Sequence, residues 1–172
     1  METLVIHPKD WTTDFLSAIY SDKDYTIINE DVSPQYLKAQ IAQFERIVML
    51  GHGTDYGLIG HGRFMIDSGF ASLLQQKDCV CIWSNANKFV ESYHLKGFNT
   101  GMIISEMIEA DLYNINTSED EVEASNVLLA ETVKEAIESV NMLQEIKDNY
   151  DHVTNPVINF NKHNLHYINS EI

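Results

Sequence analysis

The sequence predicts a single α/β domain, a three-layer sandwich on a mainly parallel sheet. Three observations carry this. Short apolar runs alternate with stretches of helical periodicity, the order that parallel βαβ units require. Two of those runs, residues 46–50 (RIVML) and 79–83 (CVCIW), are almost free of polar residues, as expected of strands covered on both faces. The chain has 172 residues, 44% of them hydrophobic and 22% charged, enough for one domain to bury its own core. No repeat, low-complexity tract or linker divides it, so residues 1–172 are read as one domain with a tail from 155.

Residues 3–7 form a first apolar run and a first strand. Asp10 or Thr12 caps a helix in which Trp11, Phe15 and Ile19 recur at i, i+4 and i+8. Residues 25–29 (YTIIN) are rich in β-formers and read as strand two. Ser33 followed by Pro34 is a helix start, with Leu37, Ile41 and Phe44 as its apolar stripe. Strand three, 46–50, stops at Gly51-His52-Gly53. In 57–67 (GLIGHGRFMID) two β-like pieces flank His61-Gly62, a small hairpin. Residues 68–76 look helical, and strand four, 79–83, stops at Ser84-Asn85-Ala86-Asn87. A helix over 88–95, a loop over 97–101, a helix over 102–110 and a fifth strand over 111–115 (DLYNI) come next.

Ser118 with Glu121 is a capping-box pattern. Beyond it Leu129, Val133, Ile137, Val140, Leu143 and Ile146 keep helical spacing. Residues 119–148 hold nine acidic and two basic side chains, read first as a solvated face and second as a docking surface. The tail, 155–168, alternates apolar residues around Pro156 and His163 and predicts an edge strand.

Charge narrows the partners. The formal net charge is −15, with only 11 Lys and Arg. Nucleic-acid affinity is dominated by cation–phosphate contacts, and anionic membranes attract basic segments, so neither is an expected partner. Cys79 and Cys81 are the only cysteines. On a strand they share one face, and two free thiols point to a reducing, cytoplasmic setting. The first residues lack the basic and apolar regions of a signal peptide, and no apolar run reaches the length of a membrane span.

Ligands of open parallel sheets gather beyond the carboxyl ends of the strands. If strands three and four are neighbours, His52 and Ser84 or Asn85 face one crevice. The Gly53 amide there is a candidate oxyanion donor, and an imidazole beside a hydroxyl is a minimal acyl-transfer constellation. Asp55, Tyr56, Trp83 and Asn87 are candidate ligand contacts, Trp83 by stacking or simply as packing. Asp55, Asp67 and His61 are candidates for a cation or a substrate amine. His163 and His166 lack a third ligand and read as surface residues, so no metal site is expected. No GxGxxG or Walker spacing occurs, and no cofactor is expected.

The order of these parts resembles the caspase-like (clan CD) peptidase fold of caspases, gingipains, separase and bacterial CHAT domains. In that family a strand ends in a His-Gly bearing the catalytic His, a hairpin and helix come after it, and the next strand ends in the catalytic Cys. The matching pieces are RIVMLGHG, GLIGHGRFMID, SGFASLLQQ and CVCIWSNAN. KGFNTGMIISEMIEADLYNI is similar to the helix and strand beyond the nucleophile in CHAT-type members, and the resemblance spans residues 3–137. It implies peptide or amide hydrolysis, and a defence or signalling role.

Carried across, the resemblance puts the nucleophile at Ser84 or Asn85, neither of them Cys. Cys81 lies earlier, within the apolar strand, and reads as a core residue. Three explanations stand: a working Ser nucleophile, a Cys replaced naturally or by engineering, or a non-catalytic relative. Since Ser is the weaker nucleophile, low or absent activity is expected. The rival readings are a module that binds a small ligand, nucleotide signal or peptide in the same crevice, and an interaction subunit or homo-oligomer that docks through the acidic helix 118–148.

Overall fold

The computed structural model describes residues 1–169. Positions 170–172, the end of the expected tail, lie outside the described residues. The main sheet has six strands in the order β2-β1-β3-β7-β8-β9. They are β1 (Thr3–Ile6), β2 (Thr26–Ile28), β3 (Arg46–Leu50), β7 (Asp78–Ile82), β8 (Gly97–Thr100) and β9 (Leu165–Ile168). The first five in that order pair in parallel, and β9 closes the β8 edge antiparallel. A second sheet, β4 (His52–Thr54), β5 (Gly57–Gly60) and β6 (Arg63–Ile66), is an antiparallel meander.

Helices cover both faces, and the two-residue period of the strands sorts the core. Val5, Val48, Leu50, Val80, Ile82 and Phe98 face one layer. It is made by the 3-10 helix Trp11–Ile19, α5 (Glu119–Ala136), α6 (Met142–Asn149) and α7 (Pro156–Lys162). Leu4, Ile6, Ile47, Met49, Cys79, Cys81 and Trp83 face the other. There α1 (Pro34–Ala42), α2 (Ala71–Leu74), α3 (Ala86–Ser92) and the small sheet pack. The two cysteines share one face, as their spacing requires.

Local signals placed several elements. Ser33 caps α1 by accepting the Tyr36 N–H, with Pro34 in the first turn, and the Ser118 hydroxyl accepts the Glu121 N–H at the start of α5. The β5–β6 hairpin turns on His61 (φ 54°) and Gly62 (φ 77°), the two left-handed residues of a type I′ turn.

Five expectations are corrected. Residues 97–101 are not a loop: 97–100 form the buried strand β8. A Cβ on Gly97 would lie 1.8 Å from the Cys79 carbonyl oxygen, and its φ is +114°, so glycine is what lets β8 close against β7. The helix expected over 102–110 starts later, as α4 (Met107–Leu112), and the strand expected over 111–115 is that helix's end. Asn114 is left-handed (φ 56°), and the Ile115 N–H returns to Ala110 O and the Asn114 N–H to Asp111 O, a Schellman stop. The long acidic helix breaks after Ala136 and resumes as α6. The tail is an α-helix before its edge strand, because Pro156 starts α7 under an Asn155 cap.

Arg46, at the amino end of β3, binds Asp78 Oδ2 and Ile137 O, both at 2.9 Å, which ties the sheet to the end of α5.

Candidate functional site

β3 and β7 are paired neighbours, Leu50 beside Ile82, and the Gly51 N–H donates to Ile82 O at 3.1 Å. Their carboxyl ends therefore deliver His52 and Ser84 to one crevice. The 3-10 helix closes it with Thr13, Phe15 and Leu16, and Ile103, Ser105 and Leu129 complete the wall. The crevice is about 30 Å³ in volume, room for one or two waters.

The histidine is held from the β1 side. Because β1 lies next to β3 in the sheet, the turn after β1 also ends here. Asp10 caps the 3-10 helix, accepting the Thr12 N–H at 2.9 Å and the Thr12 hydroxyl at 2.7 Å. Thr12 Oγ1 is 2.6 Å from His52 Nε2, and Asp10 Oδ2 is 3.7 Å from the same nitrogen. The Thr12 hydroxyl holds the Asp10 carboxyl below its ordinary value; desolvation, the next largest influence, opposes it, and the Thr12 backbone N–H and the His52 and His7 imidazoles reinforce it.

An ionised carboxylate only accepts hydrogen bonds. The single Thr12 hydroxyl proton is therefore spent on Asp10, and His52 Nε2 must donate to Thr12 Oγ1. In the neutral ring the proton sits on Nε2, and Nδ1 keeps its lone pair. Among the described residues no side chain or backbone group hydrogen-bonds to that Nδ1. One layer deeper, His7 is buried between the Tyr20 hydroxyl (2.7 Å) and Thr13 Oγ1 (3.2 Å). Burial pushes its imidazole below the ordinary value, with Asp14, Thr13 and Asp10 opposing.

The expected partner of His52 is otherwise engaged. The Ser84 hydroxyl donates to Ile103 O at 3.2 Å and accepts the Ile103 N–H at 3.4 Å. No hydrogen bond joins Ser84 to His52 among the described residues. Asn85 is left-handed (φ 66°) at the start of α3, where its side chain caps nothing, and its N–H donates to Gly101 O. Cys79 and Cys81 are both buried. Burial pushes the Cys79 thiol up to about 12 and the Cys81 thiol well above its ordinary value.

The remaining candidates separate. Gly53 lies in β4 opposite Leu58, and a Cβ there would meet Trp83 Cδ1 and Gly57 O, each at 2.4 Å. Trp83, a candidate for stacking on a ligand, is only 2% exposed and donates its indole N–H to Thr54 O at 2.9 Å. It braces the small sheet instead. Tyr56 stands at the exposed β4–β5 tip, and Asp55 lies 3.9 Å from Lys88 Nζ. Asn87 Oδ1 is buried without a hydrogen-bond partner. Asp67 caps the turn before α2 through the Gly69 N–H, and His61 reaches Asn29 O, so these two do not join Asp55 in a cation site. Among the described residues no group of three or more His, Cys, Asp and Glu side chains stands in a metal-binding arrangement, and no helix is long and apolar enough to cross a membrane.

From sequence, Asp10 and Thr12 read only as helix caps. The signal that could have found them is an Asp-x-Thr in the polar turn after the strand next to β3. No family model, curated protein or solved structure matches this chain.

Proposed function

We propose that this chain is a caspase-like hydrolase domain that has kept its base, His52, and lost a working nucleophile, so that it does not cleave peptides. The observation that carries the reading is the pairing of β3 with β7, which sets His52 and Ser84 on one crevice. Further support is the run of parts along the chain: β3, His-Gly, a small antiparallel sheet, a helix, β7 and a short polar turn. The base has a defined tautomer, because Asp10 and Thr12 take the Nε2 proton and leave Nδ1 as acceptor. The position where a nucleophile is due holds a hydroxyl already bonded to the Ile103 backbone, and an unactivated hydroxyl is a weak nucleophile. The gingipain, caspase or CHAT character of the resemblance, and the defence or signalling role it implies, belong to this proposal.

The test is repair. Ser84→Cys and Asn85→Cys are each treated with a peptide carrying a thiol-reactive electrophile, with and without His52→Ala. One of the two cysteines should label at least about a hundredfold faster with His52 present, the low end of what a positioned base contributes, while the unaltered chain shows no peptide hydrolysis. Labelling indifferent to His52 at both positions overturns the retained base. Hydrolysis by the unaltered chain that Ser84→Ala abolishes overturns the lost nucleophile.

A further inference from the structure

A wide opening on the surface lies away from His52, between the first half of α5 and the segment leading into α7. It is about 650 Å³ in volume, against 30 Å³ for the crevice at His52. Ala124, Val127, Leu128 and Ile158 line it with apolar surface. Val127 is 48% exposed, and Val153, between lining residues His152 and Thr154, is 87% exposed. The opposite face of α5, with Val122, Leu129 and Val133, is buried; on this face Ile158 belongs to the core and Leu128 is partly buried against it, while Ala124 and Val127 extend the apolar stripe out to solvent.

The rim carries one sign of charge. Asp120, Glu123 and Glu131 stand around the apolar floor, and no Lys or Arg among the described residues forms an ion pair with any of them. Asp120, Ala124, Val127, Leu128 and Glu131 recur at i, i+4, i+7, i+8 and i+11, one face of the helix. That face runs about 16 Å along the axis at 1.5 Å per residue, roughly three turns of an opposing helix. Carboxylates flanking an apolar stripe repel anionic lipid and phosphate and favour a partner with the reverse arrangement.

We propose that this groove docks a basic amphipathic helix of a protein partner. Its apolar anchors would sit over Val127 and Leu128, and its Lys or Arg side chains would reach Asp120, Glu123 and Glu131. This is helix-in-groove recognition, and it stands independently of the chemistry at His52.

The probe is a fluorescein-labelled Leu/Lys peptide with helical i, i+3, i+4, i+7 spacing, titrated into the full chain by fluorescence anisotropy. Its counterpart has Glu for every Lys. The Lys peptide should bind saturably, and the Glu peptide should not. Glu123→Lys and Glu131→Lys should each weaken binding at least about fivefold, as expected of charge complementarity at an interface. Glu91→Lys, on α3 across the sheet, changes net charge equally and should leave binding within about twofold, as a distant charge at ordinary salt is screened. Val127→Asp should also weaken binding although it adds a carboxylate, because the apolar floor is lost. All four positions are exposed, and an unchanged melting curve shows that each variant is folded. No binding of the Lys peptide, equal binding of the Glu peptide, or an equal effect of Glu91→Lys overturns the proposal. So does a dimer of the unaltered chain that Val127→Asp dissociates, since the groove's occupant is then a second copy.

Discussion

Replacing Thr12 by Val removes one hydroxyl and almost no volume, and it isolates the link between Asp10 and His52. Two side-chain hydrogen bonds disappear, Thr12 Oγ1 to Asp10 Oδ1 at 2.7 Å and His52 Nε2 to Thr12 Oγ1 at 2.6 Å. The Thr12 N–H to Asp10 bond, which caps the 3-10 helix, survives. A hydrogen bond to a charged group contributes about 1.5–3 kcal/mol and a neutral one about 0.5–1.5 kcal/mol. The His52 and Asp10 side chains are 38% and 42% exposed, so water replaces much of what is lost, and the net cost should be about 1–2 kcal/mol. In a chain of this size that lowers the melting temperature by roughly 2–8 °C. Urea denaturation measures the stability, and ¹⁵N shifts of the His52 ring report which nitrogen carries the proton. Thr12→Val should shift the neutral ring away from a uniform Nε2–H form, and Thr12→Ser should preserve it. An Nε2–H ring that persists in Thr12→Val, with stability unchanged within about 0.5 kcal/mol, the spread expected of a surface substitution, would refute the proton assignment.

Other outcomes follow from the same geometry. Burial lowers the His7 imidazole from its ordinary 6.5. The unfolded chain therefore takes up a proton that the folded one resists: this contribution is complete above about pH 6.5 and is lost as pH falls toward the folded value. His7→Gln should flatten the acid side of the stability curve, and an identical curve would contradict this. Gly53→Ala drives a methyl into Trp83 Cδ1 and the Gly57 carbonyl, both at 2.4 Å. It should cost about 1–3 kcal/mol and shift the Trp83 fluorescence, whereas a neutral substitution would mean that the small sheet is free to move. Cys79 and Cys81 are buried, with thiols pushed up by burial. A chromogenic disulfide reagent should therefore find no reactive thiol in the native chain and two in guanidinium, and fast native reaction would show that β7 opens.

Elements whose causes lie within a few residues were legible before any coordinates. The apolar runs of β3 and β7, the Ser33–Pro34 helix start, the Ser118 cap and the His61-Gly62 turn each carry a local signal, and the structure obeys it. The crevice was half legible. Polar turns after two apolar strands mark carboxyl ends where ligands collect, and the pairing of β3 with β7 brings those turns together.

Only the tertiary structure decided which groups touch across long stretches of chain. His52 turns to Thr12, 40 residues away, because β1 lies beside β3 on the edge opposite β7. Ser84 is taken by Ile103 because the segment after β8 folds over the β7 end. β8 carries no strand pattern of its own: buried in the sheet, it is specified by the missing Cβ at Gly97, which only the neighbouring Cys79 carbonyl makes necessary. Propensity and capping act over one turn of chain. Hydrogen-bond partners and close backbone approach are set by sheet order, which depends on every strand together.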